Sequence, residues 1–131
     1  MAANVFTGLV NGNWNNIGNW STAAVPTASD GNVATFDGTS PSCTVDGANR
    51  VCNGIDFTGY TNTITMTFII TVSGNITLDT GMTVAGAAAM AVNTASTMTS
   101  NGETWPNPFT FSGSATYTLA DDLGVAYSPE G

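Results

Sequence analysis

The sequence predicts an all-β protein: a short parallel β-helix or solenoid-like domain whose N-terminal end is closed by a tryptophan-containing cap. Three observations carry this prediction. Helix signals are nearly absent, short alternating apolar pairs recur from one end of the chain to the other, and many of those pairs are spaced by six or eight residues. The alternative that the same pattern leaves open is a small β-sandwich or jelly roll.

Helix-forming residues are scarce. The chain of 131 residues contains 15 glycines, and Thr, Ser and Asn are abundant throughout. The only alanine-rich piece, residues 85–91, is short and carries a glycine near its start. No helix is therefore predicted, because short glycine-containing segments do not hold a helix in water.

The strand signals are apolar residues that alternate with Thr or another small residue, so that two apolar side chains point to one face. They occupy residues 33–36, 43–45, 55–57, 64–68, 70–72, 76–78, 82–84, 90–92, 97–99, 109–111 and 117–119. Such short segments suit a coil that bends at each corner, with three faces and about 18 to 24 residues per turn. We therefore expect a solenoid-like body over residues 33–123.

The N-terminal part reads as a cap. A solenoid's first turn exposes an apolar end and an unpaired strand edge, and Trp14 and Trp20 are suited to cover them. Residues 1–32 are thus predicted to form an N-terminal arm and cap, and residues 124–131 an extended C-terminal arm. The competing interpretation is an aromatic platform for a sugar, since Asn and Trp together are typical of glycan sites. Candidates for such glycan or partner contact are Trp14, Trp20, Tyr60 and Trp105.

The charge excludes several partner classes. Arg50 is the only basic residue against nine acids, the net charge is -8, and there is no histidine. Nucleic acids and anionic lipids are bound through Lys and Arg, so neither a nucleic acid nor a membrane is an expected partner. No segment has the basic start and apolar run of a signal peptide, and none reaches about 18 consecutive apolar residues, so neither ordinary export nor a membrane span is predicted.

The two cysteines, Cys43 and Cys52, enclose a short segment in which Asp46-Gly47 is a good turn signal. A disulfide that closes a loop of about ten residues would add roughly 2.7 kcal/mol of stability. We expect this disulfide, and two buried free thiols are the alternative. Redox catalysis and zinc are not expected, because there is no Cys-x-x-Cys motif and no His.

The nine acids raise the question of an enzyme, because some parallel β-helices cleave polysaccharides with carboxylate clusters. Here the acids are scattered, mostly in turn contexts in which Asp serves the backbone. We therefore expect no enzyme, no catalytic residue, no cofactor and no metal. The pair Asp121-Asp122 is compatible with calcium, but no EF-hand or glycine-aspartate repeat accompanies it, and a solvated turn is preferred.

Several segments point together to a family. They are the Trp14, Trp20, Pro26, Asp30 and Val33 arrangement, the two cysteines before residues 54–66, and residues 73–78 and 100–123. Together they resemble the repetitive β-solenoid proteins found among tailed-phage structural proteins and bacterial surface proteins. The resemblance covers most of the chain and implies a parallel β-helix used as a virion decoration, fibre or spike element, or as an adhesin stalk. Longer members would continue with more turns, so the chain is expected to be a minimal version or a fragment.

The expected function is that of a non-enzymatic virion structural protein, a phage capsid decoration or cement protein located in the virion. Its expected partners are the major capsid protein or other virion subunits and copies of itself, with a trimer favoured because cementing proteins often sit at threefold positions. A composition with cysteines and without Lys is typical of proteins outside cells. Virion proteins reach the outside when the host cell lyses, so they need no signal peptide. The alternatives are a receptor- or glycan-binding segment of a tail fibre or bacterial adhesin, and a self-polymerising extracellular filament subunit.

Overall fold

The structure is a computed structural model that describes residues 2–112 and 115–125, except for the side chain of Val125. In these residues, short strands wind into a parallel β-solenoid of about four turns. Every strand pair in the described part of the chain is parallel. The all-β solenoid prediction is therefore confirmed, and the antiparallel pairing that a sandwich or jelly roll needs does not occur between these strands.

The strands are two to four residues long, as the short apolar pairs predict. In chain order they are β1 (Ala2–Val5), β2 (Asn32–Thr35), β3 (Cys43–Thr44), β4 (Arg50–Cys52), β5 (Ile55–Asp56), β6 (Thr63–Met66), β7 (Ile70–Val72), β8 (Ile76–Thr77), β9 (Thr83–Gly86), β10 (Met90–Val92), β11 (Ser96–Thr99), β12 (Thr104–Trp105), β13 (Phe109–Phe111), β14 (Tyr117–Leu119) and β15 (Gly124–Val125). Sheet A has the order β1-β2-β5-β8-β11-β14, sheet B has β3-β6-β9, and sheet C has β4-β7-β10-β13. Strands β12 and β15 pair with each other and follow the sheet A strands β11 and β14 in the chain, as the sheet B strands do in the earlier turns.

The register of sheet A gives the period of the coil. The Cα partners in its successive strands are Ala34, Ile55, Ile76, Met98 and Leu119. Each turn therefore adds 21 or 22 residues, within the predicted range. Side chains alternate along a strand, so this inward column is flanked by two outward rows. The first four members are buried, and Leu119 on the last strand is exposed.

The core consists of apolar side chains stacked turn upon turn. The rings of Phe36 and Phe57 stack with centroids 5.0 Å apart. Cys52, Val72 and Val92 form another column, and all three are fully buried. Each turn thus buries its apolar surface against the turns on either side, which is what stabilises a solenoid.

A similar corner follows the sheet A strands β2, β5, β8 and β11. Each of these corners begins at an inward residue and ends at a glycine; the four are residues 34–38, 55–59, 76–81 and 98–102. Gly59 and Gly102 have φ of 81° and 85°, a conformation that glycine adopts without strain. Aspartates join successive corners: Asp79 accepts the Gly59 N–H at 2.9 Å, and Asp121 accepts the Ser100 N–H at 2.7 Å. The acids serve the backbone here, as predicted for turn contexts.

The residues before β2 form the cap. Strand β1 pairs with β2, and an isolated bridge joins Asn13 to β3, so this segment makes an incomplete turn over the first full one. The buried side chain of Asn19, at the end of a 3-10 helix, organises the cap. Its Oδ1 accepts the N–H groups of Val10 and Asn11 at 2.9 and 3.0 Å, and its Nδ2 donates to the Asn13 carbonyl at 2.7 Å.

Most of the predicted C-terminal arm, from residue 126 onward, lies outside the described residues, and residues 124–125 form β15. Among the residues that the structure does describe, no helix is long and apolar enough to cross a membrane.

Candidate functional site

Two of the four aromatic candidates, Trp14 and Trp20, pack together at the cap end of the solenoid. The Trp14 and Trp20 rings meet edge to face with centroids 4.9 Å apart, and the Trp20 indole N–H donates to the Trp14 carbonyl at 2.8 Å. The ring centroid of Phe36, in the first full turn, lies 5.8 Å from that of Trp14 and 5.4 Å from that of Tyr60. The tryptophans therefore close the apolar end, which confirms the predicted cap.

The same burial corrects the glycan or partner contact predicted at Trp14, Trp20, Tyr60 and Trp105. Trp14, Tyr60 and Trp105 are fully buried, and Trp20 is 3% exposed. Stacking on a sugar needs an exposed ring face, which none of the four presents. The Tyr60 hydroxyl is likewise used internally, 2.9 Å from the Thr63 carbonyl oxygen, and burial raises the pKa of this phenol.

The predicted disulfide between Cys43 and Cys52 is wrong: both residues are free, buried thiols. Cys43 lies on β3 in sheet B, and Cys52 lies on β4 in sheet C, beyond the corner. Each sulfur fills an inward column of its own sheet, where Cys43 is in register with Ile64 and Cys52 with Val72. The cysteines therefore act as small core side chains, the alternative that the sequence left open.

We expect the two thiols to be inert in the native protein. Burial raises the pKa of both Cys43 and Cys52, and the thiolate is the reactive form. Iodoacetamide should therefore label neither residue under native conditions and both after unfolding in guanidinium chloride, and a reductant should leave the melting temperature unchanged. A mass lower by two hydrogen atoms before labelling would contradict this expectation.

Arg50, the one basic residue, ties the cap to the first full turn. Its Nη1 donates to the Asn15 side-chain oxygen at 2.8 Å, and its Nε donates to the Asp46 carbonyl at 2.9 Å. The Asp46 carboxylate in turn accepts the Asn15 N–H at 2.8 Å. Within the described residues, no three His, Cys, Asp or Glu side chains are grouped so that they could hold a metal ion. That the protein has no catalytic residue and no cofactor stays a prediction.

Three corner carboxylates make stability depend on acid pH. Hydrogen bonds hold the pKa of Asp37, Asp79 and Asp121 below the ordinary value of 3.8. The largest causes are the Thr39 hydroxyl for Asp37, the Gly59 N–H for Asp79 and the Ser100 N–H for Asp121. Because these pKa values are lower in the folded state, the stabilisation is complete above the unfolded value and is lost as the pH falls through the folded values. We expect a melting temperature, followed by circular dichroism, that is flat from about pH 7 to 5 and falls below about pH 4, with a smaller fall in Asp79→Asn.

A groove runs along the outer surface of sheet A. Its first part has a volume of about 270 Å³ and is lined by Val33, Gly54, Asp56 and Asn75, among others. The second part, also about 270 Å³, shares Asn75 and continues past Thr97 to β14. Sequence reasoning did not single out this groove, because its residues come from strands about one turn apart in the chain.

The open end of the solenoid presents apolar side chains. A cavity of about 360 Å³ is lined there by Met98, Phe111, Tyr117, Leu119 and Leu123. Phe111 is 44% exposed and Leu119 is 53% exposed. Sheet A ends at β14, and in the described part of the chain no strand pairs with the outer edge of β14. Unpaired edges with exposed apolar side chains are typical of surfaces that bind another chain.

The opposite edge of sheet A is covered. The Val5 N–H donates to the Ser21 hydroxyl at 2.8 Å, and the Ser21 N–H donates to the Val5 carbonyl at 2.8 Å. The buried Asn4 side chain accepts the Thr22 N–H at 3.2 Å and donates to the Ala24 carbonyl at 2.8 Å. Residues 21–24 therefore occupy hydrogen-bonding positions on β1 that an added strand would use.

A smaller apolar patch lies on the cap. Leu9, Val10 and Ile17 are 83%, 62% and 61% exposed. Val10 lies against Gly18, where an added Cβ would be 2.6 Å from a Val10 methyl group. This cap patch is a second apolar surface, separate from the open end.

Comparison with known proteins gives no match: no protein-family model, no curated protein and no solved structure resembles the chain at a significant level. The class that the described residues define is a parallel β-solenoid. Its function has to be argued from its surfaces.

Proposed function

We propose that this chain is a non-enzymatic structural protein of a virus particle, a phage capsid decoration or cement protein that acts as a homo-oligomer, with a trimer favoured. The observation that carries the proposal is the unequal build of the two ends of the solenoid. Residues 21–24 cover the β1 edge, whereas the β14 edge is unpaired in the described residues and Leu119 beside it is exposed. A body of this kind is suited to dock by one end on a larger assembly.

The mechanism of such a protein is passive. The parallel ladders pair the backbone from turn to turn, so the body is a stiff spacer. The open end supplies apolar contact through Phe111 and Leu119, and the negative charge of the chain disfavours aggregation in solution. A single contact through these few side chains is weak. The overall affinity rises when an oligomer engages several sites of a repeating shell at once.

The experiment that tests the proposal is the copy number of this chain in purified particles of the virus that encodes it, measured by quantitative mass spectrometry against the most abundant shell protein. Near one copy per shell subunit, or a simple fraction of it, supports capsid decoration. A handful per particle would instead assign the chain to a fibre or spike, and absence from particles would overturn the virion proposal.

Three single variants then test which surface docks. Leu119→Glu at the open end should reduce loading on particles at least tenfold, because it buries a charge in an apolar contact. Val51→Glu, at a comparably exposed apolar side chain on the flank of sheet C, is the matched control and should load normally. Leu9→Glu on the cap patch should also load normally, and a loss in Leu9→Glu alone would show that the cap, not the open end, faces the shell.

The self-polymerising filament is less favoured by this geometry. Growth by strand addition in sheet A needs a free edge at both ends, and the hydrogen bonds between Val5 and Ser21 occupy one of them. The receptor- or glycan-binding alternative loses the buried aromatic residues as its contact surface, and it now depends on the groove of sheet A.

A further inference from the structure

Gly54 is a glycine that neither backbone conformation nor internal packing requires. Its φ is not in the left-handed region, and the atoms nearest to an added Cβ would be the Asn75 carbonyl oxygen at 3.4 Å and Val33 methyl groups at 3.5 and 3.7 Å. These are ordinary van der Waals contacts. Glycine weakens a strand, and in sheets it often marks a place where a ligand or another backbone approaches closely.

Gly74 in the neighbouring turn differs from Gly54, because packing within the chain requires a glycine there. Gly74 lies at the same corner, but a Cβ there would be 1.8 Å from the Asn53 carbonyl oxygen, so packing within the chain explains that glycine. At Gly54 the missing side chain instead opens the floor of the groove, between Val33 on one side and Asn75 on the other. The gap is therefore open to a ligand from outside the chain.

The groove is long and follows the solenoid axis. Its two parts meet at Asn75 and reach from Val33 beside β2 to Thr118 on β14. Five strands at about 4.8 Å spacing extend over roughly 19 Å. The groove therefore fits an extended chain better than a compact small molecule.

The polar groups along the groove offer both donors and acceptors. Asn75 accepts the Thr97 N–H through its Oδ1 at 2.9 Å, and its Nδ2 donates to no acceptor among the described residues. Asp56 and Thr77 are register neighbours on the outer face, and both hydrogen bonds that Thr58 donates to Asp56 go to Oδ1. An amide donor, a carboxylate acceptor and a hydroxyl thus lie on adjacent strands, beside the apolar floor of Val33 and Gly54.

Other ligand classes fit less well. A peptide strand has no backbone groups to pair with here, because the groove lies on the outer face of sheet A and the inner strands already pair on both sides. An anionic ligand would face Asp56 and the net charge of -8, while Arg50 is engaged by Asn15 and Asp46 at a different corner. A neutral, hydroxyl-rich chain needs no backbone pairing with the sheet and is not repelled by the negative charge.

We propose that this groove binds a neutral oligosaccharide that lies along the solenoid axis, with Gly54 as its floor and Asp56, Asn75 and Thr77 as hydrogen-bonding partners. Sugar C–H groups pack on Val33 and on the Gly54 backbone, and sugar hydroxyls bond to the carboxylate, amide and hydroxyl. No aromatic ring takes part. This inference does not depend on the virion proposal, because it concerns the flank of the solenoid and not its open end.

The test is binding of the full chain to a panel of neutral hexasaccharides (cello-, malto-, manno- and chito-oligosaccharides) and of anionic oligogalacturonate and hyaluronan fragments, by isothermal titration calorimetry and by backbone amide chemical shifts. At least one neutral probe should bind and shift the amides of Gly54, Asn75 and Thr77. Gly54→Thr fills the floor with a strand-forming residue and should weaken that binding at least tenfold. Asn75→Asp keeps the acceptor for the Thr97 N–H, removes the Nδ2 donor and should also weaken it.

The matched control is Ala91→Thr, which adds a threonine between its register partners Thr71 and Thr110 on the outer face of sheet C. It should bind as the original chain does, and all variants should keep the same circular dichroism spectrum. The proposal is overturned if no neutral probe binds, if only the anionic probes bind, or if Gly54→Thr binds the neutral probe unchanged. Particle loading does not enter this measurement, so the two proposals fail independently.

Discussion

Replacing Gly74 with alanine should lower the free energy of unfolding by about 3 kcal/mol, at the upper end of what an overpacked site costs. The added Cβ would lie 1.8 Å from the Asn53 carbonyl oxygen and 3.0 Å from its carbonyl carbon. Both atoms are backbone, so the clash cannot be relieved by a rotamer change and one turn must move away from the next. For a domain of this size we expect a fall in melting temperature of roughly 10 °C, measured by circular dichroism.

Gly54→Ala is the matched control for this prediction. Gly54 lies beside Gly74 at the same corner, and its added Cβ would meet ordinary contacts. Alanine restricts the unfolded chain, so this change should be neutral or slightly stabilising, by up to about 1 kcal/mol. If both alanine variants unfold at the same temperature, the close approach of the turns at Gly74 is not what limits that position.

The fold could be predicted because most strands contain their own signal, although β1, β4, β12 and β15 lie outside the predicted strand segments. Ile70 and Val72 alternate with a threonine, as Ile76 and Leu78 do, and all four side chains point into the core. The six-residue spacing between the two pairs is the distance along the chain from one face to the next. A sandwich strand would be longer and its partner antiparallel, so strand length was the property that separated the two folds.

A repeat of glycines gives the period of the coil more closely than the predicted range of about 18 to 24 residues per turn. Gly38, Gly59, Gly81 and Gly102 end the four equivalent corners at intervals of 21 or 22 residues. The extra residue before Gly81 shifts the register by one, so no identical motif repeats. Aligning Gly38 with Gly59 places Val33 beside Gly54. The extra residue before Gly81 makes the same alignment place Ile76 beside Gly54, whereas the strand register places Asn75 there.

The disulfide prediction failed because the nine-position interval between Cys43 and Cys52 was interpreted as a loop that a disulfide closes. In a solenoid the same interval carries the chain around a corner, so that Cys43 and Cys52 face the core from different sheets. The aromatic prediction failed for a related reason. Asparagine near tryptophan indicated a sugar site, but Asn19 is buried and bonds to the backbone of the cap. In both cases the local pattern was compatible with two environments, and burial decided between them.

The groove and the open end could not be predicted from local patterns. The groove combines residues from separate turns, of which Gly54 contributes only the absence of a side chain. The open end depends on which strand is last in the described ladder. The exposed Leu119 follows a threonine, as the buried Met98 of the same column does, so the local sequence does not separate the two. Such surfaces arise from stacking, which the sequence of one strand does not encode.

Replacing Phe36 with alanine should be the most destabilising change in the core, about 4 kcal/mol. Phe36 is fully buried, and its ring lies between the cap and the second turn. The five aromatic rings around it are those of Phe6, Trp14, Trp20, Phe57 and Tyr60, at centroid distances of 5.0 to 5.8 Å. Its loss leaves a cavity between rigid rings that cannot collapse, and it separates the cap from the body. Urea unfolding measures the loss, and Phe36→Leu should recover part of it.

Phe111→Ala is the control at the opposite end. Phe111 also contacts two rings, Phe109 at 5.4 Å and Tyr117 at 5.1 Å, but 44% of it is exposed. Less surface is lost and no closed cavity forms, so we expect a cost of about 1 kcal/mol. In a solenoid each turn is stabilised mainly by its neighbours. Hydrogen exchange should accordingly accelerate in β1 and β2 of Phe36→Ala, and near β14 in Phe111→Ala. Equal costs for the two alanine variants would mean that the aromatic cap does not anchor the fold.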